Sequence, residues 1–489
     1  MGYLEKSISA LHELLVQGKA TPLELAQEAI AKAKANQDNA FEIITEKEAL
    51  DFASTLTEPE ASNPLWGIPF VLKDNFSAKG IETTASSNIL NGYVPLFDAT
   101  VYAKLKEKKA VLIGKATMDE LAMGGTGTTG HKGTTYNPWD PSHTRLVGGS
   151  SCGSAASVAA GIVPFSLGSD TGDSVRKPAS FAGLVGMKPT WGRISRYGLF
   201  PFAPSLDHVG YFTRNVGDAA ILLDVLAGRD PHDATSSFRP VEAYEPYLYR
   251  EPKGLKVAVL KEVYDSLSDK RLKDKVDASL AKLKEMGVEI DFVEFGYHLL
   301  SACFPTYIVI SCAEATSNDA NLDGIKFGPY YPGKTYQEVM FNARTNGFSE
   351  LIKRRFVIGS FSLMRENQDV LFRRAQKARG MIVARVNEIL VDHDFIFAPA
   401  APGIAPKFTD SSDKLSSEYL IADNHLCLGN FAGLPSMTLP LGLEDDMPLG
   451  ANFMGRAFEE GKLFQIASAY EKITGLSDLS VLNRKEGNL

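Results

Sequence analysis

Gly148-Gly149-Ser150-Ser151-Cys152-Gly153-Ser154, followed by Gly168-Ser169-Asp170-Thr171-Gly172-Asp173-Ser174, is the stretch on which the reading of this chain turns. Small side chains let a backbone approach a substrate closely, and each half offers a serine, Ser150 and Ser174. A serine hydroxyl is a weak nucleophile at neutral pH and needs an adjacent base. Upstream, Gly67-Ile68-Pro69-Phe70-Val71-Leu72-Lys73-Asp74-Asn75 is an apolar run that ends on a lysine. Burial lowers an amine's pKa toward neutrality, which is the condition for Lys73 to act as a base. Ser150 suits a proton relay between Lys73 and Ser174, because a hydroxyl both donates and accepts. The backbone amides of Thr171, Gly172, Asp173 and Ser174 suit an oxyanion. Taken singly, each feature has a plainer reading: Gly-Gly-Ser-Ser is a turn composition and Lys73 a surface lysine.

Around this stretch, short β-rich runs alternate with helical ones. Strands are expected at Pro69–Lys73, Val111–Lys115, Val163–Leu167, Val257–Leu260 and Phe395–Ala398, and helices at Ser151–Ala160, Lys270–Met286 and Leu363–Leu390. That alternation indicates a layered α/β architecture. Toward the N-terminus, Thr21-Pro22-Leu23-Glu24 is a capping box with proline at the first helical position, opening a helix. Lys104-Leu105-Lys106-Glu107-Lys108-Lys109 reads as a solvated helix end.

The chain has 489 residues, 44% of them hydrophobic and 10% aromatic, and a formal net charge of −8. A mildly acidic balance argues against broad binding to nucleic acid or anionic membranes. Four scattered cysteines, Cys152, Cys303, Cys312 and Cys427, contain no CxxC and read as free thiols of a reducing compartment. No signal core and no membrane-spanning run is expected, so the expected location is the cytoplasm. A Ser-His-Asp arrangement is the rival constellation, but His131 and His143 read as loop histidines. No metal site is expected, since no HExxH or His/Cys cluster occurs.

The two serine stretches, with Met118-Asp119-Glu120-Leu121-Ala122-Met123-Gly124, Asn137-Pro138-Trp139-Asp140 and Arg196-Tyr197-Gly198-Leu199, resemble the amidase signature family. Within it they are similar to the A subunits of Glu-tRNA(Gln)/Asp-tRNA(Asn) amidotransferases, from about residue 5 to about residue 475. The resemblance implies one amidase domain over residues 1–489, with a helical N-terminal segment (1–60) and an α/β catalytic core (61–489). Its fold would be a large mixed β-sheet covered by helices on both faces. Lys73 falls on the family's base, Ser150 on the bridging serine held by a cis peptide, and Ser174 on the acyl-forming nucleophile. The oxyanion donors would be the amides of Thr171, Gly172, Asp173 and Ser174. A glutamine pocket would use Arg354 or Arg355 for the carboxylate and Asp423 for the amino group, with Tyr307 nearby.

The implied activity is glutamine hydrolysis, supplying ammonia to partner subunits B and C of a heterotrimer. Those partners would hold most of the tRNA together with ATP and Mg, while this chain itself carries no cofactor. A stand-alone amidase for small aliphatic or aryl amides would share the same triad, and a non-catalytic assembly subunit is the third reading. The sequence departs from the family at Cys152 and Asp173, both usually glycine. Asp173 either contributes to the site through Arg176 or Lys177, or is a tolerated variant paired to one of those bases.

Overall fold

In the computed structural model, which describes residues 2–410 and 424–483, the run ending at Lys73 is a strand in the interior of a mixed sheet. The strands are β1 (Phe41–Ile44), β2 (Pro69–Lys73), β3 (Val111–Ala116), β4 (Phe165–Asp170), β5 (Val185–Lys188) and β6 (His208–Thr213). They continue as β7 (Lys256–Leu260), β8 (Glu289–Val293), β9 (Phe395–Pro399), β10 (Ser436–Glu444) and β11 (Met447–Gly455). Among the described residues they form one 11-stranded sheet in the order β1-β3-β2-β4-β6-β5-β10-β11-β9-β7-β8. Every residue of β2, β3, β4, β5 and β6 is buried. Because successive side chains point to opposite faces, both faces of this half of the sheet are covered. The helices Cys152–Ala159, Arg176–Ala182, Val216–Leu226 and Glu460–Thr474 pack directly on its strands.

What positions the site is the register of β2 and β4. They run parallel, with Leu72 opposite Leu167, so Lys73 and the pair Ser169-Asp170 emerge side by side at the strands' carboxyl ends. That edge of a parallel sheet is where α/β proteins place their ligands.

Several expectations shift. β4 begins two residues later than the expected Val163–Leu167 and extends through Gly168-Ser169-Asp170. Antiparallel pairing with β6, Ser169 opposite Val209 and Asp170 opposite His208, overrides the weak strand propensity of these small polar residues. The helix expected over Leu363–Leu390 is two helices, Glu350–Leu363 and Phe372–Asp392. Met364 is extended (ψ 141), and the Asn367 side chain donates to the Phe361 carbonyl at 3.0 Å, closing the first helix. Lys104 is not merely solvated: its ammonium donates to the carbonyls of Leu226 and Ala227 at 2.9 and 2.8 Å, capping the end of the helix Val216–Leu226.

The N-terminal segment is helical apart from β1, which pairs antiparallel with β3. One helical stretch, Tyr297–Asn321, is long and apolar enough by composition to cross a membrane, against the expectation that none is. Here it packs as a core element, with Cys303, Ile310, Cys312 and Ala315 buried against the helices Glu350–Leu363 and Phe372–Asp392.

Candidate active site

Lys73 ends β2 with its side chain fully buried. Its Nζ lies 2.7 Å from Ser150 Oγ, 2.9 Å from Ser169 Oγ and 3.4 Å from the Ser169 carbonyl. Asn75 Nδ2 also donates to Ser169 Oγ, at 3.0 Å. Burial pushes the amine down to about 7, although the nearby Cys152, Asp119, Asp170 and Asp207 favour its charged form. A neutral amine has two N–H donors and one lone pair. The Ser169 carbonyl can only accept, and Ser169 Oγ accepts from both Asn75 and Lys73. With both donors turned toward Ser169, the lone pair faces the Ser150 hydroxyl.

The Gly149–Ser150 peptide is cis. The Ser150 carbonyl accepts from the Asp119 amide at 3.1 Å, and the Asp119 carboxylate in turn accepts from the amides of Thr126, Gly127, Thr128 and Thr129. A Cβ at position 149 would lie 1.9 Å from Asp119 Oδ2, so only glycine fits there. The second serine, Ser151, faces elsewhere: its Oγ donates to the Ser169 carbonyl at 3.1 Å and its amide to the Ser174 carbonyl at 3.3 Å. The loop carrying Ser150 is thereby tied to both Ser169 and Ser174. At the departure Cys152, burial pushes the thiol up to about 12, and Sγ lies 3.5 Å from the Thr117 carbonyl. A neutral thiol held there does not compete as nucleophile.

The loop from Asp170 to Ser174 is clamped by Arg176. Its guanidinium meets the Asp170 carboxylate through Nε (3.0 Å) and Nη2 (2.9 Å), and also donates to the carbonyls of Gly172 (2.7 Å) and Leu426 (2.7 Å) and to Asn430 Oδ1 (2.6 Å). Burial raises the Asp170 carboxyl, but the adjacent guanidinium outweighs it and holds the group well below the usual carboxylate range. Asn430 Nδ2 closes the arrangement onto Asp170 at 2.9 Å. On the other side, Thr171 Oγ1 donates to Asp207 Oδ1 at 2.6 Å. Because the Gly172 carbonyl is turned to Arg176, the planar trans peptide points the Asp173 amide the opposite way. Among the described residues, the amides of Gly172 and Ser174 donate to no protein acceptor.

A small cavity of about 30 Å³ opens beside this loop, lined by Gly172, Asp173, Phe304, Tyr307, Asn424 and Cys427. The Tyr307 ring lies so near Gly172 that a Cβ there would come within 3.0 Å of it. Of the two candidate arginines, Arg354 is exposed on the helix Glu350–Leu363. Arg355 turns inward, beside Tyr307 and Cys312, with its guanidinium 5.8 Å from the Phe202 ring centre. Its Nε and Nη1 are buried with no hydrogen-bond partner among the described residues. Asp423 lies outside the described residues.

His131 pairs with Glu42, and His143 pairs with Asp38 while stacking on Tyr136, so both serve loop packing. Among the described residues no group of three or more His, Cys, Asp or Glu side chains is gathered for a metal ion. Sequence reasoning alone does not single out Asn75, Ser169, the Asp170–Arg176–Asn430 clamp or Asp207 as site residues. The sequence signal for Ser169 and Asp170 is their place in the serine stretch and for Asn75 its nearness to Lys73, whereas Arg176 lies two residues past Ser174 and Asp207 and Asn430 lie outside both stretches and are brought in by the fold.

The model of the amidase family matches residues 24–464. The A subunit of the glutamyl-tRNA(Gln) amidotransferase of Fusobacterium nucleatum is 43% identical over 450 residues, 91% of each chain. The crystal structure of the corresponding glutamyl-tRNA(Gln) amidotransferase chain of Thermotoga maritima superposes with a TM-score of 0.79 at 36% identity, over 96% of this chain and 95% of that one. The native peptide amidase of Stenotrophomonas maltophilia is also similar, with a TM-score of 0.78 at 26% identity over 97% and 98% of the two chains.

Proposed function

This chain belongs to the amidase family, and we propose that within it the protein is the glutaminase component of a glutamyl-tRNA(Gln) amidotransferase. The observation that carries the chemistry is the buried Lys73 amine 2.7 Å from Ser150 Oγ. Ser174 Oγ adds to the carbonyl carbon of the glutamine side-chain amide. Its proton passes to Ser150 Oγ as the proton of Ser150 passes to the Lys73 lone pair. The tetrahedral oxyanion is met by the amides of Thr171, Gly172, Asp173 and Ser174. In acyl-transfer enzymes each such donor contributes about 3–4 kcal/mol. The C–N bond then breaks, the relayed proton returns to the leaving nitrogen, and ammonia departs. Water attacks the remaining γ-glutamyl ester by the same route, releasing glutamate and restoring the Ser174 hydroxyl.

Arg355, with two buried donor atoms facing no acceptor among the described residues, suits the substrate's α-carboxylate, and Asp423 is the proposed partner of its ammonium. Ammonia would pass to partner subunits B and C, which would hold ATP, Mg and most of the tRNA. The relatives' names and their near-complete coverage of the chain support this reading. A mildly acidic chain, with a net charge of −8, fits a division of labour in which the partners bind the tRNA.

The test is ammonia release from glutamine by the purified chain, alone and with partner subunits and Glu-tRNA, with Ser174→Ala as control. Serine-dependent release that rises with the partners is the expected result. Fast partner-independent turnover of simple amides, with glutamine a poor substrate, would make the protein a free-standing amidase. Activity of the complex unaffected by Ser174→Ala would make its role one of assembly.

A further inference from the structure

The loop that faces the reacting carbonyl carries a carboxylate of its own. Asp173 supplies one of the amides assigned to the oxyanion, and it lines the cavity together with Gly172, Phe304, Tyr307 and Cys427. Neither Gly172 nor Asp173 has a positive φ, so the backbone here does not demand glycine and position 173 admits a side chain. The difficulty is electrostatic. An uncompensated like charge roughly 6 Å from the oxyanion, at an effective dielectric of about 20, slows its formation by a factor of about 100.

Lys177 stands one helical turn further on. Its Nζ is 2.6 Å from Asp173 Oδ2, with the two side chains only 9% and 22% exposed. The Lys177 amide donates to the Asp173 carbonyl at 2.9 Å, so the first turn of the helix Arg176–Ala182 holds the i,i+4 spacing that joins the two groups. Arg176, the other base beside Asp173, is engaged by Asp170, Gly172, Leu426 and Asn430. Of the two bases the sequence offers, the structure selects Lys177.

We propose that Lys177 is a positioning residue of the acyl-transfer step: its ammonium neutralises Asp173, so that the loop meets the developing oxyanion with backbone donors and no net negative charge. Asp173 and Lys177 then form one functional unit, in which the lysine is what makes the carboxylate compatible with catalysis. The inference rests on Ser174 being the nucleophile.

The experiment is a charge-removal cycle in the full chain, read as kcat and KM for ammonia release from glutamine. Lys177→Met keeps the apolar stem and removes the cation beside Asp173; kcat is expected to fall by about 100-fold, with KM changed less than about threefold. Adding Asp173→Asn removes the other charge and is expected to return kcat to within about fivefold of the parent. Lys177→Arg, which retains the charge, is the variant to use where Lys177→Met does not fold, and it is expected to keep most of the rate. A double variant as slow as Lys177→Met, a Lys177→Met chain with parental kcat, or a Lys177→Arg chain as slow as Lys177→Met would each overturn the proposal. Ser174→Ala in parallel separates the two levels. Ammonia release that survives it refutes the nucleophile itself, whereas failed rescue with Ser174→Ala inactive refutes only the pair.

Discussion

Lys73 and Ser150, 77 residues apart in sequence, are joined by a 2.7 Å contact in the interior, with Ser169 on the far side of the same amine. Three polar contacts fix where the two donors and the lone pair of a neutral lysine point. In the relay proposed above, that arrangement sets the direction of its last step, from the Ser150 hydroxyl to the Lys73 lone pair.

Activity should require the neutral amine. Burial lowers Lys73 to about 7, so kcat/KM should rise with pH through an apparent pKa near 7 and level off above it, following a single ionisation. A pH–rate profile of the full chain checks this; an ascending limb near the ordinary lysine value of about 10.4 would contradict it.

Ser169→Ala removes an acceptor of the Lys73 ammonium while leaving Ser150 and Ser174 in place. With the charged form less well solvated, the ascending limb should move to lower pH. The plateau kcat should fall by roughly 10- to 100-fold as the amine loses its orientation. A changed plateau with an unmoved limb would mean that Ser169 acts through packing alone.

The two neighbouring arginines should separate cleanly in glutamine kinetics. Arg355 is turned inward, with buried nitrogens that meet no acceptor among the described residues, whereas Arg354 is exposed. Arg355→Ala is expected to raise the glutamine KM by roughly 10- to 100-fold, the loss of a charge-assisted contact. Arg354→Ala should stay within about twofold. Steady-state kinetics giving the reverse order would displace Arg355 from the substrate carboxylate.

Arg176 is a stability prediction as much as a catalytic one. Arg176→Met strands the buried Asp170 carboxylate, and removing one partner of a buried pair costs about 3–5 kcal/mol. Thermal unfolding should show a clearly lowered Tm, and kcat should fall as well, because the Gly172 carbonyl loses its anchor. An unchanged Tm would show that the clamp is not holding the loop.

Much of the β-sheet was legible because its strands are short apolar runs punctuated by glycine; Pro69–Lys73 stands as expected. The hairpin of β10 and β11 gave little warning. Its two turn residues, Asp445 and Asp446, have φ of 48 and 64, a conformation usually signalled by Asn-Gly rather than Asp-Asp. The split at Met364 was likewise invisible to periodicity, since the cap that ends the helix is a side-chain contact from Asn367.

The chemistry is already written in local sequence: a lysine closing an apolar run, two serines among small residues, and the family pattern that joins them. The sequence also marked Asp173 as a departure and narrowed its partner to two bases. Tertiary structure alone decided how these groups meet. The parallel register of β2 and β4 sets Lys73 beside Ser169, a long-range pairing that no local pattern encodes. The fold likewise turns Arg355 inward and Arg354 out, because burial depends on which neighbouring helices cover a face. It gives Arg176 to Asp170 and Lys177 to Asp173, because a clamp reaching Leu426 and Asn430 draws the guanidinium one way while one helical turn carries the ammonium the other.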